Sequence, residues 1–235
     1  AMLLAAGEGT RLRPLTDHIP KCMVSIGGKP VLEHNINWLR SFGVTELIIN
    51  LHYMPDSVRD YFEDGSKWGV NIHYSFEDQL LGTAGAVKNI ESKFDGPFFV
   101  WYGDNLSNID LGRIYTFHQN SASAATIALF YREDPTASGI VGLDDDKRIV
   151  RFKEKPRAEE VFSHWVNAGI YVLELQVLDY IPPRQHSDFG HDVLPAMLAN
   201  GEPLFGYQMG RNEYLRWIDT PSDLDRIQNH YTEEE

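Results

Sequence analysis

The stretch MLLAAGEGTRLRPLT, residues 2–16, joins a short apolar run to a glycine-rich loop that carries two arginines. The apolar part predicts a buried strand that ends at Gly7. Beyond it, Gly7 and Gly9 allow backbone N–H groups to approach an anion without a Cβ in the way. Arg11 and Arg13 supply planar, permanently charged groups for phosphate oxygens. The stretch therefore predicts a strand followed by a phosphate-binding loop; an ordinary glycine turn with two surface arginines is the simpler alternative.

Two better-known phosphate loops are excluded by the same residues. The dinucleotide-binding pattern GxGxxG requires a glycine at the position of Leu12. The ATP-binding pattern GxxxxGK followed by Ser or Thr does not follow this strand. A nucleotide bound by this loop is therefore held in some other manner.

The charge of the chain restricts its partners. With 235 residues and a net charge of −13, the surface as a whole repels nucleic acid and anionic membranes. An anionic substrate must then be attracted locally, and Arg11, Arg13 and Lys21 lie close together in the sequence. The length and the 43% hydrophobic content suit one large domain with a sizeable core.

Cysteine usage and hydropathy predict a cytoplasmic protein. A single cysteine, Cys22, permits no internal disulfide, which suits a reducing compartment. No apolar run approaches the roughly 20 residues that a membrane span requires, and no signal peptide is recognised. Because the chain opens inside a predicted strand, we expect that residues precede Ala1.

Strands and helices alternate in the first half of the chain, which predicts a mostly parallel sheet with helices on both faces. Ligands of such sheets bind beyond the carboxyl ends of the strands, where the glycine-rich loop and Asp104 are both expected. The predicted strands of this half are residues 2–6, 46–51, 70–74 and 98–102, and its helices are residues 31–42, 55–62 and 84–91.

The second half has a different pattern, with strands joined by turns and helices near its end. A hairpin turn is predicted at residues 144–147, and a frayed end at residues 233–235. The other strands are residues 124–131, 140–143, 149–153, 168–173 and 204–208, and the helices are residues 175–180, 192–200 and 222–230.

Seven segments, taken in order, resemble those of the sugar-1-phosphate nucleotidylyltransferases, also called NDP-sugar pyrophosphorylases. The resemblance spans nearly the whole chain and is closest to the mannose-1-phosphate guanylyltransferase branch, without the C-terminal β-helix that many relatives carry. The segments are LAAGEGTRLRPLT (4–16) with Pro20-Lys21, GGKPVLEHNINWLRSFGV (27–44), LLGTAGAV (80–87), YGDN (102–105), FKEKP (152–156), VNAGIYV (166–172) and WID (217–219).

This resemblance implies an α/β fold with a Rossmann-like, mostly parallel sheet flanked by helices, of the nucleotide-diphospho-sugar transferase type, and a small antiparallel sugar-binding part. We expect one nucleotidyltransferase domain over residues 1–235. Its nucleotide-binding half would cover about residues 1–120, and its sugar-phosphate-binding half about residues 121–235.

The resemblance also assigns the charged residues. Arg11 would hold the triphosphate, and Lys21 would contact the phosphates at the reacting centre. Asp104 and Asp219 resemble the two aspartates that bind Mg²⁺, an ion that prefers oxygen ligands. For an aspartate after a strand, helix capping is the alternative, and the short junction before Pro221 makes the reach of Asp219 an open question.

Two sets of residues would bind the substrates. A carboxylate at Glu77 can accept from guanine N1–H and N2–H₂ together, which favours GTP, although a carboxylate there could simply be exposed to solvent. The nucleotide-binding set is Leu4, Ala5, Ala6, Gly7, Gly9, Thr10, Arg11, Glu77, Gly82, Thr83 and Gly103. The sugar-phosphate-binding set is Gly139, Glu154, Lys155 and Asn167.

The predicted function is transfer of a nucleoside monophosphate from an NTP, with GTP favoured, to a sugar 1-phosphate such as mannose 1-phosphate. Another sugar phosphate, or UTP, dTTP or CTP, is the nearest alternative. A catalytically silent homologue that binds a nucleotide sugar and regulates a partner is a further alternative. Such a protein would be expected to lack the cations or the metal-binding carboxylates, which are all present. A homo-oligomer stays open.

Overall fold

The computed structural model describes the backbone of residues 1–233 and the side chains of residues 1–229. The frayed end predicted over residues 233–235 lies, from Glu234 onward, outside the described residues. The chain separates into two compact units. The first unit contains Ala1–Leu80, Trp101–Asn108 and the chain from Leu215 onward, and the second contains Leu81–Val100 and Ile109–Tyr214.

The strands occur in both units and agree with most of the predicted ones. In chain order they are β1 (Met2–Leu4), β2 (Ser25–Ile26), β3 (Lys29–Pro30), β4 (Glu46–Leu51), β5 (Asn71–Phe76), β6 (Phe98–Tyr102), β7 (Asn105–Ser107), β8 (Ala125–Tyr131), β9 (Ile140–Leu143), β10 (Ile149–Lys153), β11 (Trp165–Leu173), β12 (Leu204–Gln208) and β13 (Leu215–Trp217).

The α-helices alternate along the chain with single strands or groups of strands. They are α1 (Val31–Ser41), α2 (Pro55–Phe62), α3 (Gly82–Lys88), α4 (Leu111–Asn120), α5 (Leu194–Ala199) and α6 (Pro221–Glu233).

The first unit contains a parallel sheet in which β4 lies between β1 and β5. Leu4 pairs with Asn50, and Leu51 pairs with Phe76, so the three strands end at the same edge. Five consecutive residues of β4 are buried, as expected for a parallel strand covered on both faces. Strand β1 ends at Leu4 rather than at Ala6 because the N–H of Ala5 is bonded by a side chain of β4.

Helices α1 and α2 cover this sheet with apolar residues at helical spacing. In α1 the buried residues include Leu32, Ile36 and Leu39, as the sequence pattern predicts. Phe42, which the pattern places on the same face, lies just beyond the end of the helix and is 38% exposed. In α2 the buried residues are Val58 and Phe62. The mostly parallel sheet flanked by helices is therefore confirmed.

In the second unit, β8 pairs with β12 in parallel and with β11 in the antiparallel direction. Strand β11 also pairs with β9, and β9 pairs with β10 as a hairpin. The predicted hairpin turn is confirmed, because Asp144 Oδ1 accepts hydrogen bonds from the backbone N–H groups of Asp146 (3.1 Å) and Arg148 (2.8 Å). The small antiparallel part expected from the sequence lies here.

Two predicted helices of the second unit differ from the structure, one in its type and the other in the residue at which it begins. Residues 175–180 form a 3₁₀ helix, which ends at Tyr180 because Ile181, the residue before Pro182, is extended. Residues 189–193 form a π-helical turn that leads into α5. Pro195 lacks the N–H that would bond the carbonyl of residue 191, so α-helical bonding does not extend back to residue 192 as predicted.

Helix α4 is absent from the sequence prediction although its signals are present. Asp110 caps it by accepting a hydrogen bond from the N–H of Arg113 at 2.9 Å. Leu111, Ile114 and His118 are buried on one face.

Among the described residues, no helix combines the length and the apolar character that crossing a membrane requires.

A stability prediction follows from His118, which is 1% exposed. Its ring contacts Thr126 Oγ1 at 2.9 Å and Glu174 Oε1 at 3.3 Å. Burial lowers the pKa of His118 below 6.5, and Glu174 only partly offsets this. As the pH falls below 6.5, the unfolded chain takes up a proton that the folded chain resists, so the free energy of unfolding decreases until the folded pKa is passed.

Denaturant unfolding at about pH 7.5 and about pH 5.5 measures this effect. The His118→Gln variant is expected to lose less stability between the two pH values than the unchanged protein loses. His73, exposed on β5, provides the control, since His73→Gln should leave the loss unchanged. Equal losses in the His118→Gln variant and the unchanged protein would contradict the prediction.

Candidate functional site

The glycine-rich loop after β1 folds against Lys21. Gly9 has a φ of 66°, and a Cβ there would lie 2.9 Å from Lys21 Cβ and 3.1 Å from Thr16 Cγ2. The carbonyl of Gly9 accepts hydrogen bonds from the Thr16 hydroxyl (2.8 Å) and from the Leu12 N–H (2.9 Å). Glycine at position 9 therefore satisfies both a left-handed backbone and a close contact with Lys21.

Four charged residues predicted from the sequence come together in the first unit. The Lys21 ammonium lies 2.5 Å from Asp104 Oδ2 and 2.6 Å from Asp219 Oδ1. Arg11 approaches Asp219 Oδ1 to 3.0 Å. The Lys21 side chain is 11% exposed, whereas the Arg11 side chain is 67% exposed. We call Arg11, Lys21, Asp104 and Asp219 the charged cluster.

Strand pairing explains why aspartates so distant in sequence share one lysine. Strand β7 begins directly after Asp104, and β13 ends two residues before Asp219. The two strands are antiparallel, with Trp217 opposite Asn105, so both aspartates lie at the same end of the pair. The proximity of Asp219 to Asp104 is thus a consequence of the β7–β13 pairing.

The charged cluster determines the protonation of its buried members. Burial by itself would lower the pKa of Lys21, but the charges and hydrogen bonds of Asp104 and Asp219 outweigh it and raise that pKa, so the lysine stays cationic. Burial and the nearby Asp104 charge raise the pKa of the Cys22 thiol to about 12. Cys22 therefore stays protonated, in keeping with a packing role.

Arg13 is not part of the charged cluster. Its guanidinium lies 3.6 Å from Glu8 and 3.2 Å from Asp17, both near it in the sequence.

The turn that carries Asp104 is tied to β1 through its neighbour Gly103, whose N–H donates to the Leu4 carbonyl at 2.8 Å.

Two buried hydrogen bonds through Asn50 link the ends of β1, β4 and β5, and we call them the buried polar chain. Sequence reasoning missed Asn50. The N–H of Ala5 donates to Asn50 Oδ1 at 2.8 Å, and Asn50 Nδ2 donates to Glu77 Oε1 at 2.7 Å. Asn50 is 4% and Glu77 is 6% exposed, so the alternative of a solvent-exposed Glu77 is wrong. The available signal was a polar residue near the end of an otherwise apolar strand. The Asn50 amide thus orients the Glu77 carboxylate.

In the second unit, the glycines at residues 82 and 85 allow close contact with residues 185–189. A Cβ on Gly82 would lie 2.6 Å from the Ser187 carbonyl oxygen, and one on Gly85 would lie 2.7 Å from that of Gln185. Thr83 donates through its hydroxyl to Asp188 Oδ1 at 2.9 Å. Asp188 is a second residue that sequence reasoning missed, because its partner is 105 residues away.

The predicted sugar-phosphate residues also come together in the second unit. The Asn167 N–H donates to the Gly139 carbonyl at 2.8 Å, and Asn167 Nδ2 donates to the Tyr171 hydroxyl at 2.7 Å. Burial raises the pKa of Glu154, while the charges of His191 and Lys155 oppose this rise. Lys155 has a φ of 41°, an uncommon backbone conformation for a residue with a Cβ.

Among the described residues, no group of three or more His, Cys, Asp or Glu side chains is arranged to hold a metal ion. The charged cluster supplies two carboxylates, a number that suits Mg²⁺ when phosphate oxygens and water complete its shell.

Comparison with known proteins identifies relatives over nearly the whole chain. The sequence profile of the family described as Nucleotidyl transferase matches residues 1–234. A UTP–glucose-1-phosphate uridylyltransferase of Synechocystis is 38% identical over 93% of the chain and 59% of its own length. A mannose-1-phosphate guanylyltransferase of Mycobacterium tuberculosis is 36% identical over 96% of the chain and 62% of its own length. The chain thus spans about three fifths of the length of these two relatives.

Solved structures agree with the fold. HddC from Yersinia pseudotuberculosis, complexed with GMP-PN, matches with a TM-score of 0.82 and 26% identity, over 98% of each chain. A UDP-glucose pyrophosphorylase complexed with UDP-glucose matches with a TM-score of 0.86 and 20% identity, over 100% of this chain and 98% of that chain. The second likeness concerns the fold alone.

Removing the Asn50 amide is expected to destabilise the fold. Asn50→Ala leaves the buried Ala5 N–H and the Glu77 carboxylate without their shared partner, which should cost about 1–3 kcal/mol of unfolding free energy. Denaturant unfolding measures the loss. Asn120→Ala, at an exposed position at the end of α4, should stay within about 0.5 kcal/mol of the unchanged protein. Similar unfolding free energies for the two variants would show that the buried polar chain contributes little to the stability of the fold.

Proposed function

The chain belongs to the Nucleotidyl transferase family, and we propose that it transfers a nucleoside monophosphate from an NTP to a sugar 1-phosphate, releasing pyrophosphate. The observation that carries this proposal is the charged cluster, in which two cations and two carboxylates come from distant parts of the chain. Lys21 lies within 2.6 Å of both carboxylates, and Arg11 lies 3.0 Å from Asp219. Relatives named as sugar-1-phosphate nucleotidyltransferases support the reaction class.

The proposed reaction needs positioning and charge neutralisation more than proton transfer. An oxygen of the sugar phosphate attacks the α-phosphorus of the NTP, the bond to the β-phosphate oxygen breaks, and pyrophosphate leaves. The attacking oxygen is already anionic, so no general base is required. The barrier arises because two polyanions must approach each other and negative charge shifts onto the leaving group. Fixed cations lower such a barrier.

Arg11 and Lys21 fit the two cationic roles in different ways. The Arg11 side chain is mostly exposed and can reach the triphosphate and the leaving pyrophosphate. Lys21 is buried between two carboxylates, so its ammonium is held in place and stays charged. We assign Lys21 to the phosphates at the reacting centre. Backbone of residues 4–10 and Gly103, all in the first unit, would contact the nucleotide.

We propose Mg²⁺ as the cofactor, held by Asp104 and Asp219. Both are hard oxygen donors, and both already place one carboxylate oxygen on a single cationic centre, the Lys21 ammonium. Two such carboxylates suit an ion that takes its remaining ligands from phosphate oxygens and water. When bound, Mg²⁺ would neutralise phosphate charge and orient the triphosphate.

GTP is the nucleotide that we favour. The Glu77 carboxylate is buried and oriented by Asn50, and a carboxylate pairs with the two adjacent donors of guanine. The match to HddC complexed with GMP-PN and the resemblance to a guanylyltransferase support this choice. UTP is the alternative favoured by a specific observation, the 38% identity to a uridylyltransferase.

We assign the sugar phosphate to Gly139, Glu154, Lys155 and Asn167 of the second unit, with mannose 1-phosphate as the first candidate. This keeps the division expected from sequence, with nucleotide binding in about residues 1–120 and sugar-phosphate binding in about residues 121–235. The regulatory alternative, a silent homologue, is disfavoured because all four members of the charged cluster are present and in contact.

Pyrophosphate release tests the proposal. The protein is incubated with Mg²⁺ and each of GTP, dTTP, UTP, CTP and ATP against several sugar 1-phosphates. Release with GTP and mannose 1-phosphate is the expected result, and release with another pair would retain the reaction and correct the substrates. If no pair releases pyrophosphate while nucleotide still binds in a titration, a sugar 1-phosphate outside the tested set is the first explanation and the regulatory alternative is the second.

Replacing one metal-binding carboxylate should abolish most turnover. Asp104→Asn keeps the shape of the side chain but removes its charge, so we expect at least about a 100-fold lower kcat. Steady-state kinetics at saturating Mg²⁺ measure this, and circular dichroism checks the fold. Asp95→Asn, at an exposed loop position, is the matched control and should leave kcat unchanged. Near-normal turnover in Asp104→Asn would refute the metal assignment.

Removing the exposed guanidinium of Arg11 should slow the chemical step. Arg11→Ala is expected to lower kcat by about 10²–10³-fold, because Arg11 would stabilise charge that develops on the leaving pyrophosphate. Arg113→Ala, whose parent side chain is 78% exposed on α4, serves as the control. An effect confined to the KM of the sugar phosphate would contradict the placement of Arg11 on the triphosphate.

A further inference from the structure

The carboxylate of Glu154 is partly buried and has no hydrogen bond or ion pair within the described part of the chain. Burial raises its pKa, the charges of His191 and Lys155 oppose that rise, and the charge of Asp188 adds to it. A partly buried carboxylate without hydrogen-bond donors is unfavourable. A ligand with hydroxyl groups would therefore supply the hydrogen bonds that the Glu154 carboxylate lacks.

Two glycines leave the space that this carboxylate occupies. A Cβ on Gly190 would lie 2.6 Å from Glu154 Oε2 and 3.2 Å from Glu154 Cδ. A Cβ on Gly139 would also collide with Glu154 Oε2, and it would lie 2.8 Å from Phe152 Cζ. Real Cβ atoms essentially never approach within 3.0 Å, so neither position accepts alanine without a shift.

The two glycines differ in what an added methyl group would disturb. At Gly139 it would meet an aromatic ring as well as the carboxylate, so packing would change. At Gly190 the next contact, Phe152 Cζ, lies at 3.6 Å, an ordinary van der Waals distance. The Gly190 backbone is not in the left-handed region, so alanine is not excluded by its φ. Alanine at Gly190 thus conflicts with Glu154 alone.

Hydrogen bonds hold the backbone around Gly190 in place. A Cβ at residue 190 would therefore displace the Glu154 carboxylate rather than the backbone. Gly190 lies in the π-helical turn Phe189–Val193, a rare local structure that often occurs at functional sites. The turn is tied by the Phe189 N–H to the Thr83 hydroxyl at 3.0 Å, and by the Asp188 N–H to Asp192 Oδ2 at 2.8 Å. The end of a glutamate side chain, by contrast, rotates readily.

We propose that Gly190 is a positioning residue for the sugar: its missing Cβ holds open the rotamer in which Glu154 accepts hydrogen bonds from two adjacent hydroxyls of the sugar ring. This inference rests on the proposed function and adds to it a residue that contacts no substrate atom. The ligand class is a sugar 1-phosphate with neighbouring free hydroxyls.

The Gly190→Ala variant tests the inference. We expect the KM for the sugar phosphate to rise about 10- to 100-fold, as for lost hydrogen bonds to a charged group. The KM for the NTP and the kcat at saturation should each stay within about twofold. Gly96→Ala is the matched control, because a Cβ there meets nothing within 4 Å and the glycine lies in the same unit.

Shortening the acid separates positioning from packing. Glu154→Asp withdraws the carboxylate from the Cβ of residue 190, so Gly190→Ala added to Glu154→Asp should cause no further rise in KM. Fully additive effects of the two substitutions would overturn the inference. If Gly190→Ala fails to fold, the double variant is decisive: its folding would identify Glu154 as the source of the conflict, and its failure would overturn the positioning role.

The inference and the proposed function fail in different ways. An unchanged protein that turns over no sugar phosphate overturns the proposed function and this inference with it. An active unchanged protein whose Gly190→Ala variant behaves like Gly96→Ala overturns the inference alone.

Discussion

The ion pairing around Lys21 is the interaction on which the site of the first unit depends. Its ammonium contacts carboxylates from residues 104 and 219, which would repel each other without a cation between them. Because Lys21 is buried, loss of either partner leaves a charge in a poorly solvated place, which costs far more than loss of a surface pair. The same contacts that raise the pKa of Lys21 therefore hold together segments from the beginning, middle and end of the chain.

That dependence explains why the last segment of the chain belongs to the first unit. Strand β13 pairs with β7, and this pairing delivers Asp219 to the lysine. Helix α6 follows, and Gln228 Nε2 donates to the Ser25 carbonyl at 3.3 Å. The charged cluster is assembled only when these long-range pairings have formed, so it is a property of the folded first unit and of no single motif.

The sequence predicted the members of the charged cluster because their short motifs resemble those of the family, and it predicted the parallel sheet because strand and helix patterns alternate in the first half of the chain. It did not predict Asn50 or Asp188, since the role of each depends on a partner that only folding brings near: Glu77 is 27 residues from Asn50, and Thr83 is 105 residues from Asp188. The π-helical turn was missed for a related reason, because helical periodicity describes α-helices and a local widening leaves little trace in it.

Apart from Gly9, whose left-handed backbone and contact with Lys21 require glycine, the glycines of the nucleotide-binding motifs fall into two physical groups. Gly82, Gly85 and Gly103 are each adjacent to a backbone carbonyl oxygen that a Cβ would approach to 3.0 Å or less, so the protein's own packing accounts for them. Gly7 is different, because a Cβ there would meet nothing within 4 Å and its backbone is not left-handed. Packing among the described residues therefore gives no reason for glycine at position 7. Under the proposed function the reason is the ligand: a phosphate can approach the backbone N–H groups of the loop only where no side chain projects.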